Sequence, residues 1–206
     1  MDAAADRPAV ARLVSAIGRT GWAIEPGFID EPLAAALRER SVALDRAGGF
    51  RPAAIGAGAS RAVRPALRGD RLCWLGPAEG AAEVALFAAF ETLRLALNRD
   101  LALGLFDVEC HYAIYAPGAG YVRHLDRSPA GAERVISAVL YLNEAWTVAD
   151  GGELRLHTGS GAVTTLPAGG TLVLFESARF EHEVLVSRRE RFSIAGWFRR
   201  RARVPA

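Results

Sequence analysis

Residues 151–175, GGELRLHTGSGAVTTLPAGGTLVLF, decide the fold. Three apolar-rich runs, 153–157, 162–166 and 171–175, alternate with turn chemistry: Gly151-Gly152 before the first, Thr158-Gly159 after it, and Pro167 to Gly170 before the last. Five-residue runs are too short for stable helices and fit strands, and the Gly/Pro clusters supply the turns. Outward from this stretch, further strands are expected at 107–116, 121–126, 134–143, 182–186 and 192–198. Eight short strands at regular spacing imply a sandwich or closed barrel.

The first half reads differently. Residues 9–17 form a helical repeat expected to end at Gly18. Asp30 is a good N-cap, with Pro32 in the first turn and Leu33, Leu37 and Leu44 on one face. Over 81–98, Leu86, Phe90, Leu93 and Leu97 recur at helical spacing. Residues 50–70, rich in Gly, Ala, Pro and Arg, show no period and read as a long loop. Helices first and strands after make the chain α+β, with helices buttressing one sheet face. No repeat or linker divides the 206 residues, so one domain is expected over 1–206, with helical support in 1–104 and a β core in 105–199.

Composition excludes several function classes. Net charge is +2 with 51% apolar residues, so nothing global calls for nucleic acid or a membrane surface. All 25 basic residues are Arg, and the four Arg within 199–203 read as a solvated tail. Cys73 and Cys110, the only cysteines, make neither a disulfide framework nor a thiolate site, and a reducing, cytoplasmic setting is expected. The first eight residues lack the apolar run of a signal peptide. The most apolar stretch, 81–106, is interrupted by Glu83, Glu91, Arg94, Arg99 and Asp100, so no membrane span is expected.

The chemistry begins at His124-Leu125-Asp126. On a strand, residues i and i+2 share a face, so an imidazole and a carboxylate enter one cavity. A second His on a neighbouring strand completes a two-His, one-carboxylate triad with open positions, the non-haem Fe(II) arrangement. His182, 56 residues after Asp126, is the candidate. An HxD pair by itself is a common surface pattern. His111, expected to make a core or rim hydrogen bond, and His157, expected in a turn, have no carboxylate at i+2. An oxygenase of this kind also binds a dicarboxylate, which calls for a buried guanidinium. Arg191, opening the last apolar strand, fits that need, whereas Arg188, Arg189 and 199–201 read as surface charges. Tyr141 is placed to add a hydroxyl, or simply to pack.

The string YAPGAGYVRHLD over 115–126 resembles the core of the prolyl hydroxylase domain enzymes, the oxygen-sensing branch of the prolyl 4-hydroxylase-like 2-oxoglutarate oxygenases, in its bacterial form. So do YLNEAW at 141–146, GGELR at 151–155, HEV at 182–184 and RFSIAGW at 191–197, together with Arg68-Gly69-Asp70 followed by Trp74. The resemblance implies a double-stranded β-helix (jelly-roll) core and an Fe(II)- and 2-oxoglutarate-dependent dioxygenase consuming O2, with ascorbate as an optional further cofactor. It implies iron ligation by His124, Asp126 and His182, and co-substrate binding by Arg191 and Tyr141. Tyr115 would lie near the metal, and Val139, Leu154, Val184 and Trp197 would wall the pocket. Arg134 and Trp74 would lie towards a substrate groove, and Arg68 would pair with Asp70. The implied reaction is hydroxylation of a prolyl residue in a protein or peptide, elongation factor Tu in bacterial relatives, by a monomer or weak dimer. Hydroxylation of a free amino acid or other small molecule, and a non-catalytic metal-binding or oxygen-sensing module, are the alternatives. One departure stands out: where this branch commonly has a Thr four residues after the co-substrate Arg, the chain has Ala195.

Overall fold

The computed structural model describes residues 7–56, 62–126 and 133–202. Helix α1 (Arg7–Thr20) buries Val10, Leu13, Val14 and Ile17. It runs through Gly18, where a Cβ would come within 2.9 Å of Leu101, and the chain turns instead at Gly21, whose φ is +83°. The expected end at Gly18 is therefore corrected: that glycine gives room for a neighbouring helix, and Gly21 supplies the left-handed turn. Helix α2 (Glu31–Arg46) starts as its sequence predicts, with the Asp30 carboxylate accepting from the Leu33 N–H at 3.0 Å. Helix α3 (Ala81–Leu101) buries Leu86, Phe90, Leu93 and Leu97.

The strands are β1 (Trp22–Glu25), β2 (Arg51–Pro52), β3 (Ala54–Ile55), β4 (Ala62–Val63), β5 (Asp70–Trp74), β6 (Asp107–Tyr115), β7 (Tyr121–His124), β8 (Arg134–Tyr141), β9 (Leu154–Thr158), β10 (Gly161–Thr165), β11 (Leu172–Glu176), β12 (His182–Val184) and β13 (Arg191–Arg199). Seven form one sheet in the order β1-β11-β8-β13-β6-β5-β2, four a smaller one in the order β10-β9-β12-β7, and β3 pairs with β4. All eight expected strands are present. Two expectations are corrected. The 50–70 loop contains β2, β3, β4 and an isolated bridge from Arg68 to Tyr121; two-residue pairs are too short to leave a period, and its residues 57–61 lie outside the described ones. The N-terminal part is not purely helical either, since β1, β2 and β5 extend the large sheet.

Alternation on the central strands sorts side chains between two cores. Phe192, Ile194 and Phe198 of β13, with Tyr112 and Ile114 of β6 and Ile136 and Leu140 of β8, pack with the helices. The opposite face meets the small sheet: Tyr141, Val173 and Phe175 share a second cluster with Leu154 and Leu156. Two antiparallel sheets with a side-chain interior between them, backed by helices on one outer face, make the jelly-roll architecture. Among the described residues no helix is long and apolar enough to cross a membrane.

Candidate metal centre and its pocket

His124 closes β7 and His182 opens β12, and the antiparallel register sets them opposite each other, with ring centroids 4.2 Å apart. Asp126 lies two residues beyond the end of β7, not on the strand as its spacing predicts, yet its carboxylate returns to both rings. Oδ1 is 3.7 Å from His124 Nε2, and Oδ2 is 3.7 Å from His182 Nε2. The three candidate ligand atoms all lie within 4.8 Å of one another. Each imidazole is oriented from behind. His124 Nδ1 is 2.7 Å from the Val122 carbonyl and His182 Nδ1 3.3 Å from that of Phe180. A carbonyl only accepts, so Nδ1 carries the proton and Nε2 keeps its lone pair. Ser137 Oγ donates to Asp126 Oδ2 at 2.6 Å and lies 2.9 Å from Ser177 Oγ.

The protonation states suit a cation. Burial pushes His182 down to about 4, despite the opposing pull of Asp126. Burial also works against ionisation of Asp126, but His182, His124 and the Ser137 hydroxyl outweigh it and hold the carboxyl well below its usual range. Neutral imidazoles and an ionised carboxylate are the ligating forms.

The triad opens into a cleft, and the expected walls Val139, Leu154, Val184 and Trp197 all line it, as does Tyr115. At one end Arg191 is 1% exposed. Its Nε donates to the Gly152 carbonyl at 2.8 Å and its Nη1 to Ser193 Oγ at 3.1 Å. Nη2 has no partner, nor does the buried Tyr141 hydroxyl, whose ring lies 5.2 Å from the guanidinium. No carboxylate among the described residues pairs with Arg191. A buried, unpaired cation beside an unused hydroxyl is costly, and both orphans fit a ligand carboxylate. With three metal-ligating side chains further along the cleft, the donor set fits a metal ion chelated by a dicarboxylic 2-oxo acid.

Other expected residues fall as follows. Arg68 makes a two-pronged bond to Asp70, at 2.7 and 3.0 Å. Arg134 lies 3.5 Å over the Trp197 ring and pairs with Glu109, and Trp74 is half exposed beside it. His157 is not a turn residue: it sits on β9, contacts Glu183 at 3.1 Å and is not one of the clustered ligand side chains. Arg199 is no free surface charge, being held by Asp107 and Glu109, while Arg203 lies outside the described residues. Sequence reasoning missed Ser137, Ser193 and the pocket position of His111, which it had confined to a core or rim hydrogen bond. Strand parity was the available signal: Ser137 shares a face with Val139 and Tyr141, Ser193 with Arg191, and His111 with Tyr115.

Comparison with known proteins agrees with this chemistry. A family model described as the 2OG-Fe(II) oxygenase superfamily matches residues 110–199. The crystal structure of a prolyl-4-hydroxylase from Pseudomonas putida is 41% identical, with a TM-score of 0.86 over 94% of this chain and 100% of that one. The chain belongs to the 2OG-Fe(II) oxygenase superfamily, and is an Fe(II)- and 2-oxoglutarate-dependent dioxygenase. Within that family its similarity runs to prolyl hydroxylases. The mouse and human prolyl hydroxylases EGLN3 are each 29% identical over 202 residues, covering 94% of this chain and 84% of theirs. A prolyl hydroxylase from Trichoplax adhaerens, solved with a peptide fragment of the hypoxia inducible factor oxygen degradation domain, is 26% identical with a TM-score of 0.83, over 92% and 88% of the two chains.

Proposed function

We propose that this dioxygenase, working as one domain over its whole length, hydroxylates a prolyl residue in a polypeptide, with elongation factor Tu as the candidate that its bacterial resemblance implies. The observation that carries the reading is the unpartnered Arg191 Nη2 at the end of a cleft that holds His124, Asp126 and His182, with the unpartnered Tyr141 hydroxyl on the ring beside the guanidinium. Similarity to prolyl hydroxylases, one of them solved with a peptide, supports the substrate class.

In this reading His124, Asp126 and His182 would hold the iron. Arg191 and Tyr141 take the distal carboxylate of 2-oxoglutarate and fix its reach towards the metal. Iron, 2-oxoglutarate and O2, when bound, would supply oxidative decarboxylation of 2-oxoglutarate to succinate and CO2, one oxygen atom of O2 going to succinate and the other into a substrate C–H bond. Ser137 keeps Asp126 ionised and aimed. Tyr115 sits beside Arg191, ring to guanidinium at 5.0 Å, and with Val139, Leu154, Val184 and Trp197 excludes bulk water. Burial pushes the Tyr141 hydroxyl up to about 12, so it stays protonated and donates.

The test is incubation of the iron-loaded enzyme and 2-oxoglutarate with a bacterial lysate, with purified elongation factor Tu and with free proline, followed by mass spectrometry and succinate release. A +16 Da prolyl peptide is expected. Turnover of free proline alone would overturn the polypeptide reading, and absence of succinate with every substrate would favour a non-catalytic module. His124→Ala and His182→Ala are expected to abolish Fe(II) binding and turnover while His157→Ala retains both; equal loss in all three would refute the ligand assignment.

A further inference from the structure

One wall of the cleft takes no part in holding iron or 2-oxoglutarate. Across the large sheet, Trp74, His111, Ala195 and Val139 stand side by side in register on β5, β6, β13 and β8. Cross-strand neighbours lie about 5 Å apart. Ala195 contributes only a methyl to this row, which leaves the space beside it to the His111 imidazole. His111 is 1% exposed and sits between two indoles, 5.2 Å from Trp74 and 5.6 Å from Trp197.

His111 Nδ1 lies 3.1 Å from the Tyr112 carbonyl and so carries the ring proton. Burial, with help from Arg68 and Arg134, pushes its pKa down to about 4, so the imidazole is neutral. Nε2 is then a bare acceptor with no hydrogen-bond partner among the described residues. Beside it, the Trp197 Nε1–H is a buried donor without a partner. The wall thus presents one free acceptor and one free donor on adjacent rings. Trp197 is six residues along β13 from Arg191, about 20 Å at the strand rise. It stands opposite Ser137, the residue that holds Asp126. These orphans therefore flank the metal centre, not the co-substrate carboxylate at Arg191.

The charges nearby are already spent. Arg134 pairs with Glu109 and Arg68 with Asp70. A free amino acid would bring an ammonium and a carboxylate to a wall that offers neither a counter-charge. An extended chain brings an uncharged N–H and C=O, which each residue projects to the same side. We propose that His111 and Trp197 read the backbone of the substrate chain beside its target proline, His111 Nε2 accepting from a backbone N–H and Trp197 Nε1–H donating to a backbone carbonyl. This rests on the polypeptide reading above and makes the two residues specificity determinants for it. Proline has no N–H, so the donor belongs to a residue flanking it.

The probes are synthetic peptides carrying the prolyl site found in the lysate, or the corresponding elongation factor Tu sequence. In two of them the amide N–H of the residue before or after the proline is replaced by an ester oxygen. With the wild type, and with His111→Gln, which keeps an acceptor at the Nε2 position, one ester peptide is expected to lose about tenfold in kcat/KM, the worth of one buried hydrogen bond. With His111→Phe, which keeps the ring between the indoles, the parent peptide is already about tenfold poorer and the ester costs less than twofold. The KM for 2-oxoglutarate stays within twofold in all three enzymes. Trp197→Phe is expected to lower kcat/KM for the parent peptide to a similar degree, again without moving the co-substrate KM. Equal ester penalties in wild type and His111→Phe overturn the His111 role while leaving prolyl hydroxylation standing. If no polypeptide is hydroxylated while free proline is, the substrate class falls and this proposal with it.

Discussion

Arg191 carries its charge at 1% exposure with a carbonyl on Nε, a serine hydroxyl on Nη1 and no partner on Nη2. A guanidinium so placed is worth keeping only with an anion, and its planar fork suits a carboxylate better than an ammonium does. Arg191→Ala is expected to raise the KM for 2-oxoglutarate by at least about 100-fold, the scale of a lost charge-assisted pair, with Arg191→Lys in between. Succinate release against 2-oxoglutarate concentration measures it, and an unchanged KM would mean that another cation binds the co-substrate. Ser137 acts one step further from the metal. Removing its hydroxyl frees an Asp126 oxygen from its anchor, so Ser137→Ala is expected to weaken Fe(II) binding about 10- to 100-fold, the usual range for such supporting groups; metal titration by spectroscopy or calorimetry reads it. The charged and ligating residues were legible because few chemistries need His, Asp, His and Arg in that order and spacing. The hydroxyls of Ser137 and Ser193 were not, since serine is common on strands and only the folded register shows what it touches. For His111 the parity with Tyr115 gave the face, but not the two indoles that flank its ring, whose strands are set beside it only by the fold.

At the scale of elements, β13 is the spine of the site. It pairs with β6 on one side and β8 on the other, and its inward face runs Arg191, Ser193, Ala195, Trp197. Gly196, on the helix side, has no room to grow: a Cβ there would lie 2.8 Å from Cys110 Cβ and 2.9 Å from the Glu109 carbonyl. With ladders on both edges, the strand cannot slide away from such a clash. Gly196→Ala is expected to destabilise the protein by about 1–3 kcal/mol, as overpacking does, and to raise the 2-oxoglutarate KM, because Arg191 rides on the same backbone. Urea unfolding and steady-state kinetics check the two halves of that expectation. A normal stability would show that β6 yields more easily than its position implies. The strands from β6 to β13 were legible through their alternation and their Gly/Pro turns. β1 and β5 were not, because four or five residues between a helix and a loop leave too little pattern, and their partners lie far along the chain. Asp126 shows the same limit: its spacing pointed to a strand position, but the strand ends at His124 and the chain bends to bring the carboxylate back.

The whole molecule couples the site to stability through the burial of its histidines. The helices seal one face of the large sheet and the small sheet covers the other, so His111 and His182 lie in the interior between sheets. Both have pKa values pushed down to about 4, first by burial, against about 6.5 in an unfolded chain. Between those values the unfolded chain takes up protons that the folded one refuses. Stability therefore rises with pH across this window, is full above about 6.5, and is lost as the pH falls towards about 4. Asp126, held below its usual range, extends the loss in the same direction at lower pH. Across the whole window each buried histidine contributes on the order of 3 kcal/mol to that loss, at about 1.4 kcal/mol per pKa unit. The metal-free enzyme is thus expected to show a urea midpoint that falls steadily from pH 7 to pH 4.5. His111→Phe removes one titrating group without emptying its place between the indoles, so its midpoint should fall by roughly half as much. Fe(II) needs neutral imidazoles and an ionised carboxylate, so the stabilisation it adds is expected to vanish over the same acid range. A midpoint independent of pH in the metal-free wild type would mean that water reaches these rings in solution, and the dry pocket inferred for the chemistry would fall with it.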